Sequence, residues 1–490
     1  MSKIAVIGSG FSGLSSAAVL AKEGHEVVVY EKNSTLGGRA RQFNADGYTF
    51  DMGPSWYWMP DVFERFFNRF NKDTKEYFDL IKLDPGFKII FDNNETISIP
   101  SKWSGVIDLF ERIEKGSSKN LELFMKEAAF KYDFGINKLV YEPGLSIKEV
   151  FKKDILVNIF KLQMFSSYRK HVAKYFNHPY LIALMEFPVL FLGTSPSDTP
   201  ALYSLMAYSG IKTGTFYPMG GFSKVIEGFV KLCKEHNVSF LTDVDVQKIE
   251  IVKGIAKKIL TNKGEYNFDY VIASADYAHV DNNLIEEKYR NYNDSYWGKR
   301  TFSPSALLFY LGINKKIANL DHHNLFFDED IDNHTKEIYK DPKWPTKPLF
   351  YVCCPSKTDP NVAPKNKENI FLLMPIANNL EDTESTREKY FNIMVRRIEK
   401  YTKDKILKHI EYKKSYCIKD FKNDYNSYAG NAYGLANTLS QTANFKPKII
   451  NKKVKNLYYT GQLTVPGPGV PPSIISGQVV ADYINQFIRK

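Results

Sequence analysis

The amino-acid sequence predicts an α/β protein: a Rossmann-like dinucleotide-binding domain with an α+β substrate domain interleaved through it. Three observations carry this. A strand, a glycine-rich turn and a helix succeed one another in the first two dozen residues. Strand and helix patterns return between about residues 215 and 285. A strand, a glycine turn and a helix close the sequence after about residue 445.

Lys3–Ile7 is a short run rich in β-branched residues, the pattern of a buried strand. Gly8-Ser9-Gly10-Phe11-Ser12-Gly13 then opens a helix that carries Ala17 and ends near Gly24. Val27–Tyr30 is the second strand, with Glu31 and Lys32 at its end. Each part has a physical task. Gly8 permits a tight turn, Gly10 lets the backbone approach a pyrophosphate, and Gly13 allows helix and strand to pack closely. The helix N-terminus offers free N–H groups and partial positive charge to phosphates. Glu31 can accept both ribose hydroxyl hydrogens. A glycine triplet alone is weak, but a strand before it, a helix after it and an acid at this distance make it specific.

Two further motifs separate this chain from ordinary nicotinamide enzymes. Gly37-Gly38-Arg39 comes soon after Glu31, and Phe50-Asp51-Met52-Gly53-Pro54-Ser55 lies beyond it. On these residues the chain resembles the two-dinucleotide-binding-domain flavoproteins, the amine oxidase and phytoene desaturase group. The resemblance implies FAD as cofactor. It lays Gly37, Gly38 and Arg39 along the diphosphate and brings Gly53, Pro54 and Ser55 close to the cofactor.

The resemblance extends to the middle and the end of the chain. Phe216-Tyr217-Pro218-Met219-Gly220-Gly221 precedes a helical pattern over Ser223–His236, and strands are predicted at Ser239–Leu241, Val244–Ile251 and Asp269–Ser274. In the resembling flavoproteins a valine of the central strand backs onto the adenine, and Val246 occupies that position. The stretch ending Ala273-Ser274-Ala275-Asp276 matches one that passes close to the cofactor at Ser274. Asn456–Tyr459 reads as a strand, followed by Thr460-Gly461-Gln462, the loop Val465-Pro466-Gly467-Pro468-Gly469-Val470-Pro471-Pro472, and a closing helix from about Ser473 to Phe487. Here the resemblance implies that Gly461 and Gln462 meet the ribityl chain. Gly469, Val470 and Ser473 then bring a helix N-terminus to the pyrimidine end of the flavin, where positive charge favours the reduced anion. Pro472 departs from the glycine that many members carry, and it removes a backbone donor at that point.

These motifs divide the chain. Residues 1–75, 215–285 and 445–490 form the expected FAD-binding domain. Residues 76–214 and 286–444 carry no nucleotide motif and form the expected substrate domain. Helical patterns such as Leu121–Lys131 dominate the first of these spans. Strand-like runs at Ala306–Leu311 and Asn369–Met374 appear in the second. Leu181–Gly193 is strongly apolar but too short to span a bilayer, and reads as a buried helix or a channel wall. Phe151, Ile155, Ile159 and Leu162 fall on one helical stripe, with Lys152, Lys153, Lys161, Arg169, Lys170 and Lys174 around them. Such a stripe either packs inward or lies in a membrane interface.

Composition bounds the function. The 490 residues are 43% hydrophobic and 25% charged, enough for a large core in two or three domains. The net charge of +11 comes from scattered Lys and Arg with no nucleic-acid-binding signature, so nucleic acid is not expected as a partner. The four cysteines form no CxxC pair, so no metal site is expected, and their scarcity fits a reducing cytoplasm. The N-terminus runs straight into the first motif and leaves no expected signal peptide. No run of about 18 apolar residues exists to cross a membrane.

Taken over nearly the whole chain, the resemblance is to FAD-dependent carotenoid desaturases, of the bacterial phytoene desaturase or hydroxycarotenoid 3,4-desaturase type. It implies dehydrogenation of a C–C single bond beside a polyene, in phytoene or a 1-hydroxycarotenoid. A hydride goes to FAD from one carbon and a proton leaves the next. No catalytic acid or base is legible; His322-His323 and the other histidines lack any spacing that demands a role. The substrate is held in membrane, which implies a cytoplasmic protein docked on the inner face of the bilayer. The electron acceptor is oxygen or a quinone. A carotenoid isomerase and an amine or porphyrinogen oxidase share these motifs. The last cysteine, Cys417, lies well before the C-terminal segment to which many amine oxidases attach FAD. A non-catalytic prenyl-lipid carrier of the GDP-dissociation-inhibitor fold is the reading from another class.

Overall fold

The computed structural model describes residues 1–146, 149 and 153–488. Its first sheet has five strands in the order 457–459, 270–273, 3–7, 26–30 and 239–241. All pairs are parallel, with Ile7 opposite Tyr30 on one side and Ala273 on the other. Parallel strands need both faces covered, which explains their nearly continuous apolar sequences. Every strand of this sheet falls within 1–75, 215–285 or 445–490.

Two helices meet over this sheet at unusually close range. Phe11–Lys22 is buried from Phe11 to Ala21, and its small residues face the closing helix Val470–Ile488. A Cβ at Gly477 would overlap the Ser15 hydroxyl and the Ser12 carbonyl. The closing helix starts at Val470, three residues before the expected Ser473. Pro471 and Pro472 stand in its first turn, where the missing N–H groups would have no intrahelical partner.

The second sheet has seven strands, ordered 410–416, 305–313, 368–376, 350–353, 323–326, 87–90 and 96–99. Its strands all come from 76–214 and 286–444. Only the pairing of 323–326 with 87–90 is parallel. Strand Ser305–Ile313 is buried along its whole length, and its two faces do different things. Ala306, Leu308 and Tyr310 join the main core that reaches the first sheet. Leu307, Phe309, Leu311 and Ile313 pack on the other face with Phe391, Met394 and Ile398 of the helix Glu384–Thr402. The period-2 alternation of a strand thus separates two cores.

Leu181–Gly193 is not one helix. Pro179–Glu186 is helical, and a 3-10 segment Phe187–Leu192 comes after it, ended by Gly193 at φ +70°. Pro188 lacks the N–H that an α-helix would need there. Glu186, 2% exposed, is held by Arg169 through two hydrogen bonds of 2.8 Å, and Arg169 also reaches Asp332 at 2.7 Å. Removing Arg169 would strand a buried carboxylate. Arg169→Met is expected to cost about 3 kcal/mol, slightly discounted for the exposure of Arg169, while Arg169→Met with Glu186→Gln recovers most of it. Urea unfolding of the three proteins checks this.

Candidate functional site

A cavity of about 480 Å³ opens between the two sheets. It runs from the glycine turn after the first strand to a chamber walled by Trp56, Trp58, Met59, Leu308 and Phe371. Of the twenty residues singled out by sequence, all but Gly13 line this one cavity: Gly8, Gly10, Phe11, Ser12, Glu31, Lys32, Gly37, Gly38, Arg39, Gly53, Pro54, Ser55, Val246, Ser274, Gly461, Gln462, Gly469, Val470 and Ser473. Gly13 stands behind the wall, where a Cβ would overlap the Gly8 carbonyl oxygen.

The turn is built as its chemistry requires. Gly8 has φ +100° and donates its N–H to the Tyr30 carbonyl at 2.8 Å. Gly10 is extended at φ −68°, ψ 175°, and no side chain caps the helix that starts after it. A Cβ added at Gly10 would meet nothing within 4 Å. The cavity therefore comes up against bare backbone and an uncapped helix N-terminus, a combination suited to a phosphate.

Glu31 is 4% exposed. Its Oε2 accepts from the Ser9 N–H at 3.0 Å and the Ser9 hydroxyl at 2.6 Å. Its Oε1 accepts from the backbone and side-chain N–H groups of Asn33 at 2.9 and 2.8 Å. These bonds fix the carboxylate against the cavity, where its remaining lone pairs can receive a diol. Lys32 donates to the Asn423 carbonyl at 2.5 Å, tying this edge of the cavity to residues 423–426.

Arg39 sits deeper. Gly37 and Gly38, at φ +115° and +56°, turn the chain so that Gly38 lies against Gly10. The Arg39 guanidinium stacks 4.9 Å from the centre of the Tyr425 ring. Gln462, with its amide oxygen toward Arg39, accepts from the two terminal nitrogens at 3.2 and 3.0 Å. Arg39 Nε is buried without a hydrogen-bond partner. Burial lowers the guanidinium pKa, and the carboxyl that acts against this, Asp276, is itself pushed up by burial. A half-buried cation whose buried Nε has no partner is a charge suited to an anion.

The far strand completes the wall. Gly461, at φ +107°, leaves room for the Ser12 hydroxyl, 3.1 Å from where its Cβ would lie, and its N–H donates to Ser476 Oγ at 3.0 Å. Ser12 and Ser274 share a hydrogen bond of 2.7 Å beneath it. The Tyr217-Pro218-Met219-Gly220-Gly221 run does not reach the cavity. Gly221 packs against Asp51, which accepts from the Phe222 N–H at 2.9 Å. Of the apolar run 181–193, Leu192 alone among the described side chains lines the wall.

Sequence reasoning missed a third contributor to the dinucleotide end. Phe421, Asp424, Tyr425, Asn426 and Tyr433 reach the cavity from a span without any motif. It also missed Tyr351, His323 and Cys353, which meet beside Ser55.

The chain matches the model of one family, flavin containing amine oxidoreductases, over residues 11–485. A carotenoid 3,4-desaturase of Haloarcula japonica is 38% identical over 486 residues, covering 99% of this chain and 98% of that protein. A 4,4'-diapophytoene desaturase (4,4'-diaponeurosporene-forming) of Staphylococcus haemolyticus is 30% identical over 502 residues, covering 99% of each. Among solved structures, cyclohexylamine oxidase of Brevibacterium oxydans superposes with a TM-score of 0.60 at 13% identity over the full length of both chains, a likeness of fold.

Proposed function

The chain belongs to the flavin containing amine oxidoreductase family, and within it we propose that the protein is an FAD-dependent carotenoid desaturase. It is an oxidoreductase acting on CH–CH bonds, and it extends the polyene of an acyclic carotenoid, phytoene or a 1-hydroxycarotenoid desaturated at its 3,4 bond. The observation that carries this reading is the 38% identity to a carotenoid 3,4-desaturase along nearly all of both chains. The cavity supports it: one end is bare glycine backbone with an uncapped helix, the other aromatic and aliphatic.

The residues present fit FAD. Gly8, Gly10 and the start of the helix at Phe11 would take the diphosphate, with Gly37, Gly38 and the unpartnered Arg39 Nε on its other side. Glu31 would hold the ribose of the adenosine, and Val246 would back the adenine. Gly461, Gln462 and Ser274 would lie along the ribityl chain, and Gly469, Val470 and Ser473 along the pyrimidine edge. Bound there, FAD supplies the two-electron acceptor for a hydride. The protein's share is to exclude water with Trp56, Trp58 and Met59 and to hold one C–C bond of the chain in place.

A hydrocarbon of this kind reaches the protein from a bilayer. No helix among the described residues is long and apolar enough to cross one. Val157, Phe160 and Phe165 are 67%, 89% and 77% exposed, and Lys161, Lys170 and Lys174 are exposed around them. Phe151 and Lys152 of the expected stripe lie outside the described residues, as do the side chains of Lys153, Ile155 and Ile159. Leu162 is fully buried, so the helix is anchored on one side and offers aromatics on another. This surface docks the protein on the inner face of the membrane, from which a quinone, or dissolved oxygen, can take the electrons. Replacing Lys161, Lys170 and Lys174 by glutamine is expected to lower affinity for anionic liposomes by roughly tenfold or more and to leave neutral liposomes unaffected. Flotation with both vesicles checks it.

The desaturase reading is tested anaerobically. Phytoene or a hydroxylated carotene in liposomes is added to the FAD-loaded protein, and flavin and polyene absorbance are monitored together. Bleaching of the flavin with a red shift of the polyene is the expected result. FAD that stays oxidised with every acyclic carotenoid offered would overturn it.

A further inference from the structure

Removing two hydrogens as a hydride and a proton leaves the proton to be disposed of inside an apolar chamber. Among the hydroxyl-bearing side chains that line the cavity are Ser55, Tyr203 and Tyr351. Tyr203 shares a 2.8 Å hydrogen bond with the Thr442 hydroxyl, and among the described residues that pair leads to no base. Tyr351 is different. Its hydroxyl lies 3.0 Å from Ser55 Oγ and 2.5 Å from His323 Nδ1. The His323 ring stacks on Trp56, with centroids 4.1 Å apart and planes at 12°, so the imidazole is clamped directly behind the chamber wall.

The chain of groups continues outward. His322 and His323 lie with ring centroids 4.4 Å apart, and the Nε2 atoms of both are buried with no hydrogen-bond partner. His322 Nδ1 is 2.8 Å from the hydroxyl of Thr358, which is half-buried and opens toward solvent. Cys353 Sγ lies 3.8 Å from His323 Nδ1. Two adjacent buried imidazoles, each with an unsatisfied nitrogen, are costly as packing and useful as a path. Tyr217, Asp51, Asp359, Cys354 and Tyr433 are further titratable groups around this cluster. Asp51 and Tyr217 border the same small pocket as His322 and Cys353, and the Tyr217 hydroxyl donates toward Asp359 at 3.4 Å. Burial keeps both imidazoles neutral, His322 down to about 3, and pushes the Asp51 carboxyl up to about 7.

Resting on the desaturase reading above, we infer that Tyr351 and His323 take the proton released at each desaturation and pass it by way of His322 and Thr358 to solvent. The C–H bond next to the carbon that loses hydride breaks, and its electron pair becomes the π bond of the new double bond. Its proton goes to the Tyr351 oxygen as the Tyr351 proton moves to His323 Nδ1, so that one positive charge leaves the polyene and appears on the imidazole. The hydride and its two electrons go to FAD. A strongly basic group is unnecessary. A C–H bond beside a conjugated cation is far more acidic than an imidazolium, so a histidine held neutral by burial accepts the proton and releases it readily. Tyr351 is thus a catalytic residue and His322 a positioning residue in the outward path.

Tyr351→Phe keeps the ring and removes the hydroxyl, and His323→Gln removes the base; Tyr203→Phe is the control. FAD content and the unfolding midpoint establish first that each variant is folded and loaded. Single-turnover flavin bleaching is then measured anaerobically with carotenoid deuterated either at the hydride-losing or at the proton-losing carbon. In the unmodified protein the isotope effect is expected from the first carbon alone. In Tyr351→Phe and His323→Gln the rate falls by about a hundredfold, and an isotope effect appears at the second carbon; Tyr203→Phe changes neither. Independently of turnover, ¹⁵N-histidine spectra are expected to show a neutral His323 whose two nitrogen signals shift in Tyr351→Phe and not in Tyr203→Phe. Variants that match the unmodified protein in rate and isotope pattern would overturn the inference while leaving the desaturase reading standing. So would a stoichiometric metal ion in the purified protein that His323→Gln removes. Absence of bleaching in the unmodified protein would remove the desaturase reading and this inference with it.

Discussion

Gly10→Ala is expected to leave the protein as stable as before and unable to retain FAD. Gly10 is extended, so alanine fits its backbone without strain, and a Cβ there meets no protein atom within 4 Å. In flavin-free protein the unfolding free energy should stay within about 0.5 kcal/mol of the original. The added methyl group occupies the space through which a pyrophosphate must approach the backbone. Gly13→Ala is the contrasting change. Its Cβ would overlap the Gly8 carbonyl oxygen, backbone that can move only by parting the first helix from the first strand. About 3 kcal/mol of stability should be lost, with FAD binding lost as a consequence. Flavin absorbance and urea unfolding of the two apoproteins separate the cases. A yellow, tightly loaded Gly10→Ala protein would place the diphosphate elsewhere.

Arg39→Met should split affinity from stability in a second way. In the absence of FAD, Arg39 is a half-buried cation with a buried, unpartnered Nε, stacked on Tyr425 and held by Gln462. An unsatisfied buried donor costs about 1–3 kcal/mol, which offsets what the stacking contributes. Methionine keeps much of the volume and removes that cost, so the apoprotein should unfold within about 1 kcal/mol of the original. FAD affinity should nevertheless drop, because a charge-assisted bond to phosphate is worth about 1.5–3 kcal/mol, or roughly 10- to 150-fold. Fluorescence titration of apoprotein with FAD measures this. Equal affinity for both proteins would mean that Arg39 does not face the diphosphate.

The parts of the fold that sequence made legible are those whose signal is local. Lys3–Ile7 and Ser239–Leu241 are strands with the bounds expected, because a β-branched run between turn residues has few alternatives. The helix after Gly10 and the extended Gly10 itself come from one hexapeptide. What stayed hidden depends on distant partners. His323 opens a strand that pairs in parallel with 87–90, more than two hundred residues earlier, and nothing near it announces that its ring will face Trp56. Tyr425 and Tyr433 reach the cavity through short turns that pass Asn426 at φ +50° and Ala429 at φ +55°, backbone with no periodicity to read. The Tyr-Pro-Met-Gly-Gly run is conspicuous for a different reason: Asp51 accepts from the Phe222 N–H, and Gly221 clears the way for it.

The five-stranded parallel sheet has a consequence for how the chain is made. Strands 3–7 and 26–30 are made long before their neighbours, residues 239–241, 270–273 and 457–459, and before the helix that seals them, which ends at 488. At about 5–20 residues per second, the interval from the first strand to the last helix is roughly 25–100 s. Throughout it the glycine turn is present without the strand and helix that close the site. Cofactor capture therefore has to follow synthesis of residues 457–488, and until the neighbours are made the edges of the young sheet stay unpaired.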